Sequence, residues 1–237
     1  MFKKIDTSFF EAIDRTHNVK SFRFDDLGGI DFRPGQFFQL FLDWEGQELS
    51  HYFSFSNSPT ERGYLEFTKK LSDSSFSQAL QALQPGDPVR IKLPMGQFIF
   101  EGQYPKVVFL SGGIGITPIR SICKFLTDTS SSAEAIILYS ARTKQDIVFH
   151  EDFVEMQKQN EHLSVIYSIT DQEPSPEWDG RTGRINSEMM KEEIPDFSGR
   201  VFYVCGPPGM VEALTSMLKN ELGLPPEKVI FENFTGY

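Results

Sequence analysis

The hydrophobic period of the sequence changes once, near Tyr104-Pro105, and that change limits the fold more than any other feature. Before it, Phe9–Arg15, Val19–Phe24, Gln36–Leu42, Ser50–Ser56, Tyr64–Lys70 and Pro88–Leu93 are short stretches rich in aromatic and β-branched residues. Gly28-Gly29, Pro34-Gly35, Glu45-Gly46, Arg62-Gly63 and Pro85-Gly86-Asp87 separate them. Such runs between turn residues read as strands, and six in succession predict a closed or nearly closed antiparallel barrel. Phe76, Ala79, Leu80 and Leu83 recur at helical spacing and predict one helix, stopped by Pro85-Gly86.

After the change, Val107–Leu110, Ala135–Tyr139, Leu163–Ile169 and Val201–Val204 are nearly continuous apolar runs, as in parallel strands buried on both faces. Helical spacing follows three of them: Ile119, Ile122 and Leu126; Phe149, Phe153 and Met156; Met210, Leu214, Met217 and Leu218. Strand and helix in alternation predict a doubly wound α/β parallel sheet with right-handed crossovers. The fold expected is therefore two-domain, a barrel over residues 1–102 followed by an α/β domain over 103–237.

Charge and cysteine content remove several functions. The net charge is −10, with −3 before residue 102 and −7 after it. Nucleic-acid binding needs clustered Lys and Arg to neutralise phosphate, so no nucleic-acid partner is expected. The two cysteines lie far apart on unrelated patterns and the four histidines show no ligand spacing, so no disulfide scaffold, iron–sulfur cluster or metal site is expected. No apolar run approaches the ~18 residues that read as a membrane span, and the start MFKKIDTSFF lacks a secretory core. The expectation is a cytoplasmic protein without a membrane span.

Two glycine-bearing segments end strands of the α/β half. Leu110-Ser111-Gly112-Gly113-Ile114-Gly115-Ile116-Thr117-Pro118 joins the first strand to its helix, with Pro118 suited to a first helical turn. Glycines there let a ligand approach the backbone, and the N–H groups of the helix start favour a phosphate or a polarised amide. Pro118 stands where a dinucleotide fingerprint would place its third glycine, and no Gly-Lys-Ser/Thr ending follows, which argues against nucleoside-triphosphate hydrolysis. The second segment is Val204-Cys205-Gly206-Pro207-Pro208-Gly209-Met210. In an open α/β sheet the carboxyl ends of the strands border the ligand crevice, so both segments are expected to face one cleft. Read alone, Cys205 is a small core residue or a reactive thiol.

Taken in order, these motifs resemble the ferredoxin–NADP⁺ reductase-like flavoprotein superfamily over nearly the whole chain. The resemblance rests on His51-Tyr52-Phe53-Ser54-Phe55-Ser56, on Ser74-Ser75-Phe76-Ser77, on Gly112–Pro118, on Cys205–Met210 and on an aromatic C-terminus. It implies an FAD-binding barrel followed by an NAD(P)-binding domain. The family's flavin signature is Arg-x-Tyr-Ser. Carried across, Phe53 would pack on the flavin ring and Ser54 would bond near the hydride-accepting N5, with Tyr52 between them and His51. Phe for Tyr keeps the packing surface. His51 for Arg replaces a permanent two-pronged cation by one donor that charges only near pH ~6.5, and Lys69 or Lys70, beside Thr68, would have to compensate.

Ser74, Ser75, Phe76 and Ser77 stand where the family's Gly-x-x-Ser meets phosphate, with Asp73 or Ser74 as helix cap. An ordinary capped helix is the competing reading. In the second domain Gly112, Gly113, Gly115, Thr117, Gly206, Pro207 and Met210 would contact the dinucleotide, Thr117 near the nicotinamide amide and Cys205 beside nicotinamide C4. Ser140 and Arg142 would meet the adenosine end, where Arg142 suits the 2′-phosphate of NADP, while similar Arg-Thr sequences resemble NAD-using members too, so both dinucleotides stay open. Glu232 resembles a carboxylate used for proton handling, and Tyr237 a terminal ring that gates the flavin face.

The resemblance implies hydride transfer from NAD(P)H to FAD, with Ser54, Cys205, Glu232 and Tyr237 as catalytic residues. The electrons would then pass to an acceptor such as ferredoxin, flavodoxin or an oxygenase component. Any iron–sulfur centre would belong to that partner. Acidic acceptors would be repelled at long range unless Lys3, Lys4, Arg33, Lys69 and Lys70 form a basic docking rim. Two alternatives stay open: an NAD(P)H:flavin reductase that releases reduced flavin, and a flavin-bearing subunit active only in a larger complex. A nucleotide-binding module without redox chemistry would leave Tyr52–Ser56 unexplained.

Overall fold

A computed structural model of the chain describes residues 3–171 and 177–234. The chain groups into two compact units, Met1–Glu101 with Thr117–Asp128, and Gly102–Ile116 with Thr129–Tyr237.

The first unit holds one six-stranded antiparallel sheet built from β1 (Lys3–Thr16), β2 (Val19–Phe24), β3 (Phe37–Trp44), β4 (Gln47–Ser54), β5 (Leu65–Lys70) and β6 (Pro88–Met95). Its order is β4-β3-β6-β1-β2-β5. Alternation fixes the inner face: Phe38, Leu40 and Leu42 of β3 and Val89, Ile91 and Leu93 of β6 are buried, while the residues between them are more open. β1 pairs with β6 through Lys3–Ser8 and with β2 through Phe9–Thr16, and its register shifts between Phe9 and Glu11. Such an irregularity bends a strand and curls its sheet. The two sheet ends are joined just beyond β4, where Ser56 N–H donates to Glu66 C=O (2.8 Å) and Glu66 N–H donates to Asn57 Oδ1 (2.9 Å). The barrel is a curled half-barrel, nearly closed at that seam.

Phenylalanine fills it. Phe67 is fully buried and stacks with Phe22 at 5.3 Å, Phe24 at 5.7 Å and Phe53 at 4.2 Å. The helix α1 (Ser75–Ala82) covers the cluster with Phe76, Ala79 and Leu80. Helix α2 (Ile116–Asp128), which follows the first glycine turn in sequence, groups with this unit from Thr117 onward.

The second unit is a six-stranded parallel sheet. Its strands are β7 (Lys106–Gly112), β8 (Glu134–Ala141), β9 (Leu163–Ile169), β10 (Arg181–Thr182), β11 (Val201–Gly206) and β12 (Val229–Asn233), in the order β10-β9-β8-β7-β11-β12. Helices α3 (His150–Gln159), α4 (Ser187–Glu193) and α5 (Pro208–Ser216) connect them, with a π-helical turn over Met217–Glu221 after α5. β10, α4 and β12 add to the elements read from sequence. From β7 the chain winds outward through β8 and β9 to β10, then returns to place β11 on β7's other side. That reversal makes the β7/β11 pair the switch point of the sheet, beside which doubly wound folds bind ligands. Val107 to Leu110 and Phe202 to Cys205 are all 1% exposed or less, which explains their unbroken apolar runs.

Candidate functional site

In the barrel unit, β4 carries the flavin-signature residues. Tyr52 is 61% exposed and meets Phe37 edge-on at 5.9 Å. Phe53 lies two residues from His51 on the same strand face and packs between Phe67 and Phe76, the latter at 5.6 Å. Ser54 ends the strand opposite Phe37 and is buried, and its hydroxyl has no hydrogen-bond partner among the described residues. His51 meets the edge of Phe76 at 4.7 Å, which sets the imidazole against the first turn of α1. Burial and then the Lys69 charge lower the His51 pKa, so the ring is neutral at pH 7.

Ser74, not Asp73, caps α1. Its Oγ accepts the Ser77 N–H at 3.3 Å and donates to Ser77 Oγ at 3.1 Å. Ser72 adds its own Oγ–H to Ser74 Oγ at 3.1 Å. Ser75 is exposed, Ser77 is buried, and the first turn has no acidic residue. An anion at this helix start would meet hydroxyls and backbone N–H groups, with no carboxylate in the first helical turn itself. Lys69 of β5, 6% exposed, donates its ammonium to the Lys70 C=O at 3.0 Å, and its charge acts on His51. The donor set of hydroxyls, helix N–H groups and a buried ammonium fits a phosphate-bearing flavin.

One expectation for the barrel is corrected by burial, and a second residue of the expected rim is exposed but paired. Lys69 cannot serve in a surface docking rim, because strand alternation sends it to the inner side of β5 with Leu65 and Phe67. Arg33 is engaged by Glu101 at 2.5 Å. Thr68 points to the other side of β5, where its hydroxyl bonds Ser21 (2.6 Å) and donates to Ser56 (3.0 Å). Lys3, Lys4 and Lys70 are exposed.

Sequence reasoning missed what ties down the loop after β4. Buried Arg120 of α2 donates to the Ser56 C=O at 3.1 Å and clasps the Glu61 carboxylate through both terminal nitrogens. Ser121 Oγ–H donates to the Asn57 C=O at 2.7 Å, and Thr60 Oγ1–H to Asp128 Oδ2 at 2.5 Å. Thr117, near the start of α2, is buried. A helix-interior arginine gives no sequence signal for such a role, because its partners lie about sixty residues away.

In the α/β unit the two glycine turns pack against each other. A Cβ on Gly115 would lie 2.5 Å from the Cys205 carbonyl oxygen and 2.6 Å from Gly206 Cα, and one on Gly112 would lie 2.2 Å from the Met210 sulfur. No side chain fits at Gly115, because backbone cannot yield as a flexible chain does. Gly113, at φ +53°, is exposed, and a Cβ there would meet nothing within 4 Å. Pro207, in the second turn's segment, is exposed as well. The pair therefore offers open backbone at the switch point, a cradle that suits a dinucleotide.

One polar row crosses the sheet at this level. Register aligns Tyr167, Tyr139, Ser111, Cys205 and Glu232 on five neighbouring strands. Residues in register on parallel strands present side chains to one face. Tyr139 is satisfied, donating to the Gly113 C=O at 3.0 Å and accepting the Val148 N–H at 3.2 Å. Ser111 Oγ, Tyr167 Oη and Glu232 Oε2 are buried without partners among the described residues. Burial raises the Glu232 pKa to about 7. Burial, and then the Glu232 charge, push the Cys205 thiol well above its usual range, so Cys205 is a neutral thiol and not a thiolate nucleophile. Ser140 is half-buried near the end of β8 and Arg142 is exposed just past it. Asp146 spends its carboxylate on the Thr143 N–H (3.1 Å) and hydroxyl (2.8 Å). Tyr237 lies outside the described residues.

A barrel with an anion-ready helix start, followed by a doubly wound sheet with interlocked glycine turns at its switch point, defines a two-domain flavin- and dinucleotide-binding oxidoreductase class. Comparison with known families agrees: the oxidoreductase FAD-binding domain matches residues 8–100 and the oxidoreductase NAD-binding domain residues 109–216. The chain belongs to the ferredoxin–NADP⁺ reductase-like flavoprotein superfamily.

Among curated proteins it is 30% identical over 217 residues to the glycine betaine monooxygenase reductase subunit of Chromohalobacter salexigens, covering 89% of this chain and 59% of the relative. It is 26% identical over 240 residues to a subunit of the Na(+)-translocating NADH-quinone reductase of a Marinomonas strain, covering 95% and 58%. The chain thus spans about three fifths of the length of these relatives. Its fold matches the cytochrome b5 reductase domain of Ulva prolifera nitrate reductase, with TM-score 0.84, 21% identity and 97% of both chains covered. It also matches a ferredoxin NADP⁺ reductase from Neisseria gonorrhoeae with bound FAD and NADP, with TM-score 0.81, 18% identity and 98% of both covered. No helix among the described residues is long and apolar enough to cross a membrane.

Proposed function

We propose that this chain is the reductase of an electron-transfer pair, oxidising NAD(P)H through bound FAD and passing electrons to a separate acceptor protein. When bound, the dinucleotide supplies hydride and the flavin divides its two electrons into single transfers. The protein's part is to bind, orient and handle a proton. Ser54 offers its free hydroxyl and Phe53 its ring to the flavin, and the Ser74 cap with the start of α1 meets the phosphates. Gly113 and Gly115 admit the dinucleotide to the backbone, Cys205 supplies a neutral surface beside it, and Ser140 with Arg142 meets its adenosine end. Glu232 Oε2, unpartnered and protonated in part at pH 7, holds a proton at that row. Tyr237 is assigned the gating role on resemblance.

The observation that carries this reading is the interlocking of Gly115 with the Cys205 carbonyl, which puts Cys205, the carboxyl of Glu232 and the open Gly113 backbone at one end of one sheet. The acceptor we favour is an oxygenase component, since one relative is named as a monooxygenase reductase subunit. The charge of −10, the burial of Lys69 and the pairing of exposed Arg33 with Glu101 work against acidic ferredoxins and flavodoxins. The reaction is assigned to the cytoplasm, where NAD(P)H is supplied.

Stopped-flow mixing of the FAD-loaded chain with NADPH and NADH in turn tests the reading. Rapid bleaching of the flavin, with ferricyanide reduced catalytically, is expected. A flavin that stays oxidised with both would overturn it. A second reading, release of reduced flavin, draws on the neutral His51 in place of arginine. Flavin retained at about one per chain through gel filtration excludes it.

A further inference from the structure

One charge in the barrel has no structural purpose. The Lys69 side chain is 6% exposed on the inner side of β5, two residues beyond Phe67 on the same strand face. An ammonium has three N–H donors. Lys69 uses one, to the neighbouring Lys70 C=O at 3.0 Å, and no carboxylate pairs with it among the described residues. Burying a cation without a counter-charge costs several kcal/mol, and an apolar side chain would fill the same space beside Leu65 and Phe67 at no such cost. The other strongly buried charges among the described residues of the unit are satisfied: Glu66 by Arg15 and Arg23, Arg120 by Glu61, and Asp26 by the Gly28 and Gly63 N–H groups.

The surroundings indicate what the ammonium waits for. Its field reaches His51, whose ring abuts Phe76 in the first turn of α1. The Ser72, Ser74 and Ser77 hydroxyls gather at that helix start, whose first turn has no acid, Asp73 standing just before the cap. Position 51 is where the family signature calls for arginine, and here it holds a ring that is neutral at pH 7. Lys70, the other candidate from the sequence, is exposed and alternates to the opposite side of β5.

We propose that Lys69 is the fixed cation for the flavin's phosphates, replacing from β5 the charge that β4 lacks at His51. This rests on the flavin reading above. The contact is a charge-assisted N–H to phosphate oxygen, and Lys69 is a binding residue with no part in hydride transfer.

Titrating the flavin-free full chain with FAD and with riboflavin, by flavin fluorescence, tests it. Lys69→Met is expected to weaken FAD about 10- to 100-fold and riboflavin by no more than about twofold, since riboflavin has no phosphate. Lys69→Arg should keep FAD affinity, and His51→Arg added to Lys69→Met should restore it. The flavin-free Lys69→Met chain should melt at a higher temperature than wild type, which a merely structural lysine would not give. FAD affinity unchanged in Lys69→Met, equal loss for both ligands, or a lower melting temperature would each overturn the proposal while the flavin reading stands. A wild-type chain that binds neither ligand would overturn both.

Discussion

Glu66 of the barrel and Glu232 of the α/β unit each withdraw a carboxylate oxygen from water, and the two are treated in opposite ways. Glu66 of the barrel is 1% exposed, and its carboxylate receives Arg15 (3.2 Å), Arg23 Nε (2.8 Å) and the Ser56 hydroxyl (2.8 Å). Glu232 of the α/β unit has an oxygen with no partner among the described residues. A buried charge that is fully paired gives a rigid, committed structure, and here it sits at the seam where the barrel nearly closes. A carboxylate oxygen left shielded and unpaired is a cost, and such costs cluster at functional sites. The sharpest way to break this contrast is to delete the paired acid. Glu66→Ala strands two guanidinium groups and should cost roughly 3–5 kcal/mol, read by urea denaturation. A loss below about 1 kcal/mol, the range of surface pairs, would show that the seam does not depend on it.

The units also differ in how they use backbone. On the proposed reading the barrel works through side chains and one helix start, whereas the α/β unit works through glycine turns, of which Gly115 has no room for a side chain. Gly115→Ala would drive a methyl to 2.5 Å from the Cys205 carbonyl. The turns must part, and Gly113 and Cys205 shift with them. Displacements of about 1 Å near a reacting centre cost about 100-fold in rate, so kcat/KM for NAD(P)H should fall by about that factor with FAD content unchanged. Loss of FAD instead would mean that the damage is not confined to the α/β unit.

How far the sequence reaches also differs between the units, and for physical reasons. Barrel strands were readable because half-buried antiparallel strands alternate, as β3 and β6 do. β7 and β11 were readable because burial on both faces makes them uniformly apolar. β12 was not: it is a five-residue edge strand with Val229 alone fully buried, and Ile230–Asn233 runs straight into the aromatic C-terminus. α4 spans under two turns, with Asn186 as its only strong signal. The glycine turns and the β4 signature could be located from motif order. Their chemistry could not, because the partnerless oxygens of Ser111 and Glu232 arise from cross-strand register that no single strand encodes. Lys69 was within reach, since counting by two from Leu65 and Phe67 places it on the core side.

The unpaired acid makes its own pH signature. An ordinary glutamate titrates near ~4.3, and Glu232 is raised to about 7 in the folded chain. Between these values the folded state holds a proton that the unfolded state has lost. Its contribution to stability is therefore full below the unfolded value, declines as pH rises through the window, and levels off above about 7. The decline amounts to at most about 3–4 kcal/mol, lessened by solvent screening of this half-buried side chain. Glu232→Gln keeps a neutral group at every pH, so its stability should lose that slope, and a break near pH 7 in kcat should vanish with it. A wild-type stability flat from pH 5 to pH 8 would place Glu232 with Glu66 as a satisfied acid and erase the contrast.

The smallest effect tests the barrel's side of the comparison at its least costly residue. Ser74 Oγ accepts the Ser77 N–H and also donates to Ser77 Oγ, so it satisfies one orphan donor of α1 while fixing the hydroxyl cluster. Ser74→Ala removes the cap and should cost about 1 kcal/mol of stability. If the start of α1 also holds phosphate, the bound anion takes over part of the capping, because it accepts from the same N–H groups. The penalty measured with saturating FAD should then be smaller than that in the flavin-free chain, with FAD affinity changed by only a few-fold. Equal penalties in both states would mean that the helix start is capped for folding alone, leaving the anion to Lys69 without help from α1.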